Sequence, residues 1–305
     1  MSFEVTILGS SSATPIYQRH PTAQVLQIHE RFFLVDCGEG TLIQLNRYQI
    51  KFHRINHIFI SHLHGDHYLG LMGLLSTMHL QGRKAPLHLF GPNELWEIIE
   101  LQLRHSQTQL RYPIQFHSID ANNTTVLYED ESVRVTTILL KHRIPCTGFL
   151  FEEMPKPRRI IKEKLAGLTI PLEAYNEIKA GQDLVLEDGR VVSNQELTMD
   201  PPPVRRYAYC SDTIYDESLI DIVRGVDLLY HEATFLHELA ERAAETFHST
   251  ARQAATIALK SKVKRLIIGH FSARYKSLYP LLDEAKEVFD NTTLAMEGDR
   301  FSIDL

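Results

Sequence analysis

The chain has 305 residues, 44% hydrophobic and 23% charged, with a formal net charge of −6. These values suit a globular protein with one large domain or two smaller ones, and no run approaches the ~18–20 apolar residues that span a bilayer. Cys37, Cys146 and Cys210 are far apart and odd in number, which argues against a disulfide framework or a zinc ribbon and fits a reducing compartment.

The start, "MSFEVTILGSSSATP", carries no basic or long apolar run, so no signal peptide is expected and a cytoplasmic location is. The acidic balance does not announce a nucleic-acid binder, but net charge is an average and a local basic patch has to be sought separately.

In chain order, "FEVTILG" alternates like a strand and ends at Gly9. "TAQVLQIHE" and "RFFLVDCG" read as a hairpin broken at Glu30-Arg31, and "GTLIQLNRYQI" as a short helix. "INHIFISH" is a strand, and "YLGLMGLLSTMHLQG" has the dense apolar pattern of one buried helix stopped at Gly82. "APLHLFGP" reads as a strand, "NELWEIIELQLRHSQ" as a helix capped by Asn93, and "SVRVTTILLKH" as a strand. Residues 151–204 concentrate proline and charge, as in "EEMPKPRRIIKEK" and "TMDPPPVRR", and read as an inserted arm. "RRYAYCSDT", "VDLLYHEAT" and "KRLIIGHFS" are strands with polar ends. "STARQAATIALKS" is a helix with Ser249 as N-cap, and "YPLLDEAKEVF" a last helix before two short strands. Alternating strands and helices give an α/β fold with mixed sheets, and the polar clusters fall at strand C-terminal ends, where α/β proteins place their sites.

The densest cluster is "SHLHGDH". His62, His64, Asp66 and His67 put four ligand-type side chains into six positions between two apolar segments. Alternate residues of an extended loop point the same way, so His62 and His64 can serve one metal. Asp66 and His67 begin the following helix and can turn to a second ion, and the helix N-terminus favours the aspartate. Imidazole and carboxylate suit zinc, and also manganese or iron. A solvated loop would be the ordinary reading of one histidine, but four such groups seldom enter a core unpaired.

HxHxDH after an apolar strand resembles the signature of the metallo-β-lactamase superfamily. That resemblance implies a four-layer αββα sandwich of two mixed β-sheets flanked by helices, with the metals at one edge. It implies His62, His64 and His142 on a first metal, Asp66, His67 and His270 on a second, and Asp212 bridging. It makes Asp36 a residue that orients a ligand rather than a ligand itself. Together, "LGSSSATP", "DCGEGT", "SHLHGDH", "YCSDT", "HEAT", "HST" and "GHFSARY" resemble the ribonuclease Z family from about Phe3 to Asp304. The resemblance implies one catalytic domain over 1–305, with an inserted, flexible, substrate-binding arm at about 151–204. It also implies two Zn2+ per subunit, a precursor tRNA substrate cut after the discriminator base, and a homodimer with no membrane partner.

Within that reading His248 is the candidate general acid, oriented by Glu232, and Asp66 a candidate to take or orient the proton of the attacking water. From the residues alone, Glu232 and His248 can equally be a surface pair. Ser249 and Thr250 can be simple caps or present helix N–H groups to a phosphate. The window Lys156–Lys164, "KPRRIIKEK", has five basic residues and one acidic. Lys156, Arg158, Arg159, Lys162 and Lys164 are therefore candidates for the RNA grip, and Arg274 for a contact nearer the site; Tyr275 can be a contact or packing. The family's arm commonly carries Gly-Pro where this chain has Ile170-Pro171, while "LEDGR" (Leu186–Arg190) is similar to bacterial members. The apolar helix Tyr68–Leu80 can serve an interface or the core. Competing readings on the same scaffold are a small-molecule hydrolase of a phosphodiester or thioester, and a non-catalytic RNA-binding protein.

Overall fold

The computed structural model describes residues 2–166, 170–186 and 188–304. They form two compact units, Met1–Glu152 with Arg205–Asp304, and Glu153–Val204. No helix among the described residues is long and apolar enough to cross a membrane.

In the larger unit the first six strands are β1 (Phe3–Gly9), β2 (Ala23–Ile28), β3 (Arg31–Val35), β4 (Ile55–Phe59), β5 (Leu87–Gly91) and β6 (Ile114–Ser118). They are followed by β7 (Val126–Glu129), β8 (Val133–Leu140) and β9 (Cys146–Glu153). The smaller unit holds four two-residue strands, β10 (Arg159–Ile160), β11 (Leu184–Val185), β12 (Val191–Val192) and β13 (Thr198–Met199). The larger unit resumes with β14 (Arg206–Cys210), β15 (Leu228–Glu232), β16 (Arg265–Gly269), β17 (Thr292–Leu294) and β18 (Arg300–Ser302).

One seven-stranded sheet runs β18-β1-β2-β3-β4-β5-β6 and the other β17-β16-β15-β14-β9-β8-β7. Both are mixed: β3 to β6 and β14 to β17 are parallel, while β1, β2 and β18 pair antiparallel, as do β7 with β8 and β9 with β14. The inner faces meet in an aromatic layer. Phe59 lies 5.4 Å from Phe149 and 5.7 Å, edge-on, from Phe151, ring centre to ring centre. Such pairs stabilise beyond the area they bury, by about 0.5–1.5 kcal/mol each.

Helices α1 (Thr41–Arg47), α2 (Gly65–Tyr68), α3 (Leu71–Leu80) and α4 (Asn93–His105) follow in the first half. Leu45, Leu74, Leu75, Met78, Leu95 and Ile99 pack them on the outer face of the first sheet. Helices Ala251–Ser261 and Tyr279–Lys286 cover the second sheet with Ala254, Ile257, Ala258 and Leu281. The result is the four-layer order expected from the resemblance.

Several local expectations need correction. The stretch 68–82 is not one helix from its start: α2 ends at Tyr68, and α3 runs only from Leu71 to Leu80, with Gly70 at the break. There Cys37 O accepts from Gly70 N at 2.9 Å, and a side chain at Gly70 would collide with Gly38 O. Asn93 is not the N-cap of α4: Pro92 holds that position, and no side chain caps the helix. Nor is Ser249 a cap. Thr250 caps the helix in a capping box with Gln253, while Ser249 Oγ donates to Thr213 O. Strands β6 and β7 lie at exposed sheet edges, and their short half-polar segments give a weak strand signal.

The smaller unit begins at Glu153, close to the expected position 151. It has its own small core of Leu165, Ile178, Leu184 and Leu197. Its helix Leu172–Lys179 starts directly after Pro171. Gly167–Thr169, and Glu187 within the "LEDGR" stretch, fall outside the described residues.

Candidate metal centre and active site

Six strand ends deliver the polar cluster to one place. Asp36 follows β3, the His62–His67 loop follows β4, His142 follows β8, Asp212 follows β14, Glu232 ends β15 and His270 follows β16. Asp36 and His270 leave their strands with φ of 55° and 60°, a left-handed backbone that is uncommon outside glycine and frequent at functional sites.

His62 Nε2 and His142 Nε2 lie 3.1 and 3.0 Å from His64 Nδ1. Asp212 Oδ2 lies 3.5 Å from His62 Nε2 and 3.8 Å from His142 Nε2. Beside this set, His67 Nε2 and His270 Nε2 are 3.3 Å apart, with Asp66 Oδ2 at 3.6 and 3.3 Å from them. Asp212 Oδ1 stands 3.4 Å from His67 Nε2 and 3.2 Å from His270 Nε2. The residues named from sequence as ligands are thus gathered into two adjoining groups that share Asp212.

Four of the imidazoles are held by the nitrogen that faces outward. His67 Nδ1–H donates to Asp36 Oδ2 at 2.8 Å and His142 Nδ1–H to Phe247 O at 2.9 Å. Ser61 Oγ–H donates to Asp36, so Ser61 accepts from His62 Nδ1–H at 3.0 Å. Thr234 Oγ1–H donates to Glu232 and accepts from His270 Nδ1–H at 2.9 Å. With the outward Nδ1 carrying the hydrogen, the inward Nε2 of these four rings is the atom each would present to a cation. His64 alone turns Nδ1 inward. Ala13 N–H donates to Asp66 Oδ2 at 2.6 Å and aims that carboxylate.

Burial holds His64 and His142 down at about 4, so both are neutral donors at pH 7. It lowers His62 in the same direction, helped by His67. Burial also opposes a charge on His67, yet Asp212, Asp66 and Asp36 together push it well above the ordinary histidine value. Asp212, against its own burial, is held well below the usual carboxylate range by His270, His67 and His62.

The donor set fits metal. Asp212 is buried, and its Oδ1 finds no hydrogen-bond partner among the described residues. A carboxylate oxygen left so in a core is costly unless a cation compensates it. The atom separations also match the edges of a tetrahedron, about 3.3 Å for metal–ligand arms of about 2.0–2.1 Å.

Next to this cluster Glu232 and His248 meet, with Oε1 2.8 Å from Nδ1. Glu232 is wholly buried and also accepts from Thr213 N and Thr234 N. Burial opposes its charge, but the imidazolium of His248 outweighs this and lowers its pKa. Reciprocally, burial would lower His248, and the charge and hydrogen bond of Glu232 override it and push it up to about 9. His248 is thus an acid that keeps its proton at neutral pH, and its ring lies 5.1 Å from His142 and 5.3 Å from His270.

The remaining candidates divide. Arg274 is exposed near this site, its guanidinium 4.9 Å over the Phe235 ring, and Tyr275 donates its N–H to Ser272 O and accepts from Leu236 N–H. Lys156–Lys164 lies in the smaller unit. Arg159, Lys162 and Lys164 are exposed there, Lys156 is half-buried, and Arg158 is engaged by Asp200 and Thr198. Sequence reasoning did not single out Ser61, Thr213, Thr234, Ala13 or the Phe247 carbonyl. A hydroxyl or a main-chain group beside a ligand carries no signal of its own until the fold brings it there.

Residues 3–156 match the family model described as anti-Pycsar protein Apyc1. Ribonuclease Z of Bacteroides thetaiotaomicron is 49% identical over 296 residues, covering 97% of this chain and 94% of that protein. Ribonuclease Z of Porphyromonas gingivalis is 46% identical over 304 residues, covering 100% and 99%. The crystal structure of human tRNase Z, short form, superposes with a TM-score of 0.72 at 30% identity, covering 99% and 100%. The metallo-β-lactamase fold protein YhfI of Bacillus subtilis shares the fold at TM-score 0.71 and 17% identity, covering 99% and 100%. By this likeness along nearly its whole length, the chain belongs to the ribonuclease Z family.

Proposed function

We propose that the protein is a zinc-dependent endoribonuclease that removes the 3′ trailer of precursor tRNA. It hydrolyses the phosphodiester after the discriminator base and leaves a 3′-hydroxyl on the tRNA. The observation that carries this reading is the pairing of buried Glu232 with the partly exposed His248 beside the Asp212-centred cluster: a proton donor beside a place for two cations is what phosphodiester hydrolysis needs.

His62, His64 and His142 would hold one ion, Asp66, His67 and His270 the other, with Asp212 shared; zinc suits the donors, and manganese or iron would also be accepted. Bound there, the ions supply an activated water and charge relief for the phosphate oxygens. Asp66, fixed by Ala13 N–H, orients the attacking water and its proton. His248 gives its Nε2 proton to the leaving oxygen, while Glu232 fixes the tautomer through Nδ1. Asp36 orients His67 and, through Ser61, His62.

Residues 153–204 would act as the RNA-holding arm of a single catalytic domain, with Lys156, Arg158, Arg159, Lys162 and Lys164 supplying positive charge that the acidic chain lacks overall. Arg158 serves there mainly by fixing the strand to Asp200. Arg274 would meet RNA beside the site. A homodimer, in which one subunit's arm holds RNA cut by its partner, draws support from the exposed Ile43, Leu69 and Leu80 around α1 to α3.

The test is cleavage of a 3′-extended precursor tRNA by zinc-replete protein with both product ends mapped. One cut after the discriminator base, leaving a 3′-hydroxyl, is expected. Turnover of a small phosphodiester with no cutting of the precursor would instead favour a small-substrate hydrolase.

A further inference from the structure

One peptide group, joining Phe247 to His248, links the metal cluster to the acid, and both of its ends are held. Its carbonyl accepts from His142 Nδ1–H at 2.9 Å, and its N–H, on His248, donates to Ala243 O at 2.8 Å. A trans peptide group is planar and points its C=O and N–H in opposite directions. It therefore acts as a short rigid bar, fixed to a ligand-type imidazole at one end and to a helix at the other. His248 hangs directly from that bar, its ring 5.1 Å from the ring of His142.

The helix in question, Ala240–Glu245, ends in a Schellman pattern. Phe247 N–H donates to Ala244 O at 3.2 Å, and the His248 N–H bond to Ala243 O completes it. The residue at the turn of this motif must be left-handed and is usually glycine. Here it is Phe247, with φ 57° and a ring 38% exposed. Carbonyls inside a helix run along its axis. The left-handed turn instead leaves the Phe247 carbonyl bonded to His142, on a strand end 105 residues away in sequence.

We infer that Phe247 is a positioning residue whose main chain, rather than its ring, holds the metal ligand His142 and the proton donor His248 in place together. A tilt of the 247–248 peptide moves both, so filling of the metal site through His142 and alignment of His248 are coupled. The partner on a ligand's outer nitrogen commonly sets metal affinity, and here that partner also carries the acid. The inference rests on the RNA-cleaving, two-cation reading given above.

Two substitutions separate main chain from ring. Both remove the ring, but Phe247→Gly keeps the left-handed turn and Phe247→Val opposes it, because a β-branched residue is a strong outlier at positive φ. Zinc titration of the metal-free protein gives the first readout. Turnover of precursor tRNA and of bis-p-nitrophenyl phosphate at saturating zinc gives the second. Phe247→Val should weaken one of the two zinc equivalents about 10- to 100-fold. At saturating zinc it should lower tRNA cleavage about tenfold or more, and the nitrophenyl ester, which needs no acid, by less. Phe247→Gly should match wild type in both readouts.

Wild type supplies a measurement that stands even where Phe247→Val fails to fold. Zinc should slow amide hydrogen exchange at His248 more than at Thr246, whose N–H is held only by Arg242 O of the helix. Equal behaviour of the Gly and Val variants, or a His248 amide that zinc protects no more than that of Thr246, would overturn the inference and leave the RNA-cleaving reading intact. A wild type that binds no zinc would overturn that reading and the inference with it.

Discussion

Glu232 Oε1 lies 2.8 Å from His248 Nδ1, and the carboxylate is wholly buried while the imidazole is not. The pair holds a proton on His248 until the pH rises through about 9. A raised acid is protonated below its pKa, so the acid-dependent rate persists through neutrality and falls on the alkaline side near that value. Glu232→Gln leaves burial to act without the compensating charge, which lowers the pKa of His248. The alkaline limb of kcat for precursor cleavage should then move down by about two pH units, toward the ordinary histidine value of about 6.5. A limb that stays in place would separate Glu232 from the acid.

Asp36 receives Ser61 N and Oγ, His67 Nδ1 and Tyr209 Oη, and touches no inward-facing lone pair. Asp36→Ala should lower zinc affinity about 10- to 100-fold through loss of ligand orientation. It should also cost stability, about 1–3 kcal/mol for each buried donor left single. Metal titration and thermal unfolding of the metal-free protein separate the two effects.

Thr250, not Ser249, closes the capping box of helix Ala251–Ser261. Thr250→Ala should cost about 1 kcal/mol of stability with little change in kcat. Ser249→Ala frees Thr213 O and loosens the loop whose N–H bonds Glu232, so it should lower kcat more than stability. Unfolding curves and precursor cleavage for both variants check this.

Reversing the exposed charges Arg159, Lys162 and Lys164 to glutamate should weaken precursor binding uniformly across tRNA sequences. The salt dependence of log K should flatten by about one unit for each phosphate no longer neutralised by the arm. Turnover of bis-p-nitrophenyl phosphate should stay unchanged. Binding isotherms at several salt concentrations give the slope.

Much of the candidate site is legible in the chain because its candidate ligands cluster in sequence or close apolar strands: His62, His64, Asp66 and His67 in one loop, Asp212 and His270 just past parallel strands. The alternation of buried strands marked where those loops emerge. Illegible were the groups that act through a neighbour. Thr234 and Ser61 are ordinary hydroxyls until two strand ends meet, and the Phe247 carbonyl has no side-chain signature. The caps lie one residue from the side chains that suggest them, Asn93 and Ser249. In each case an adjacent residue, Pro92 or Thr250, takes the extended backbone of the cap position. The break of α2 from α3 was hidden because Gly70 is shaped by contact with Gly38, far away in sequence.

The central claim is that His248 delivers the proton to the leaving oxygen, and a comparison of leaving groups tests it most directly. Wild type and His248→Ala, at equal zinc content, are assayed on precursor tRNA and on bis-p-nitrophenyl phosphate. The nitrophenolate departs without a proton; the ribose oxygen does not. The account predicts a loss of at least about a hundredfold on the tRNA, within the usual range for a general acid, and little change on the nitrophenyl ester. Equal losses on both substrates would contradict it.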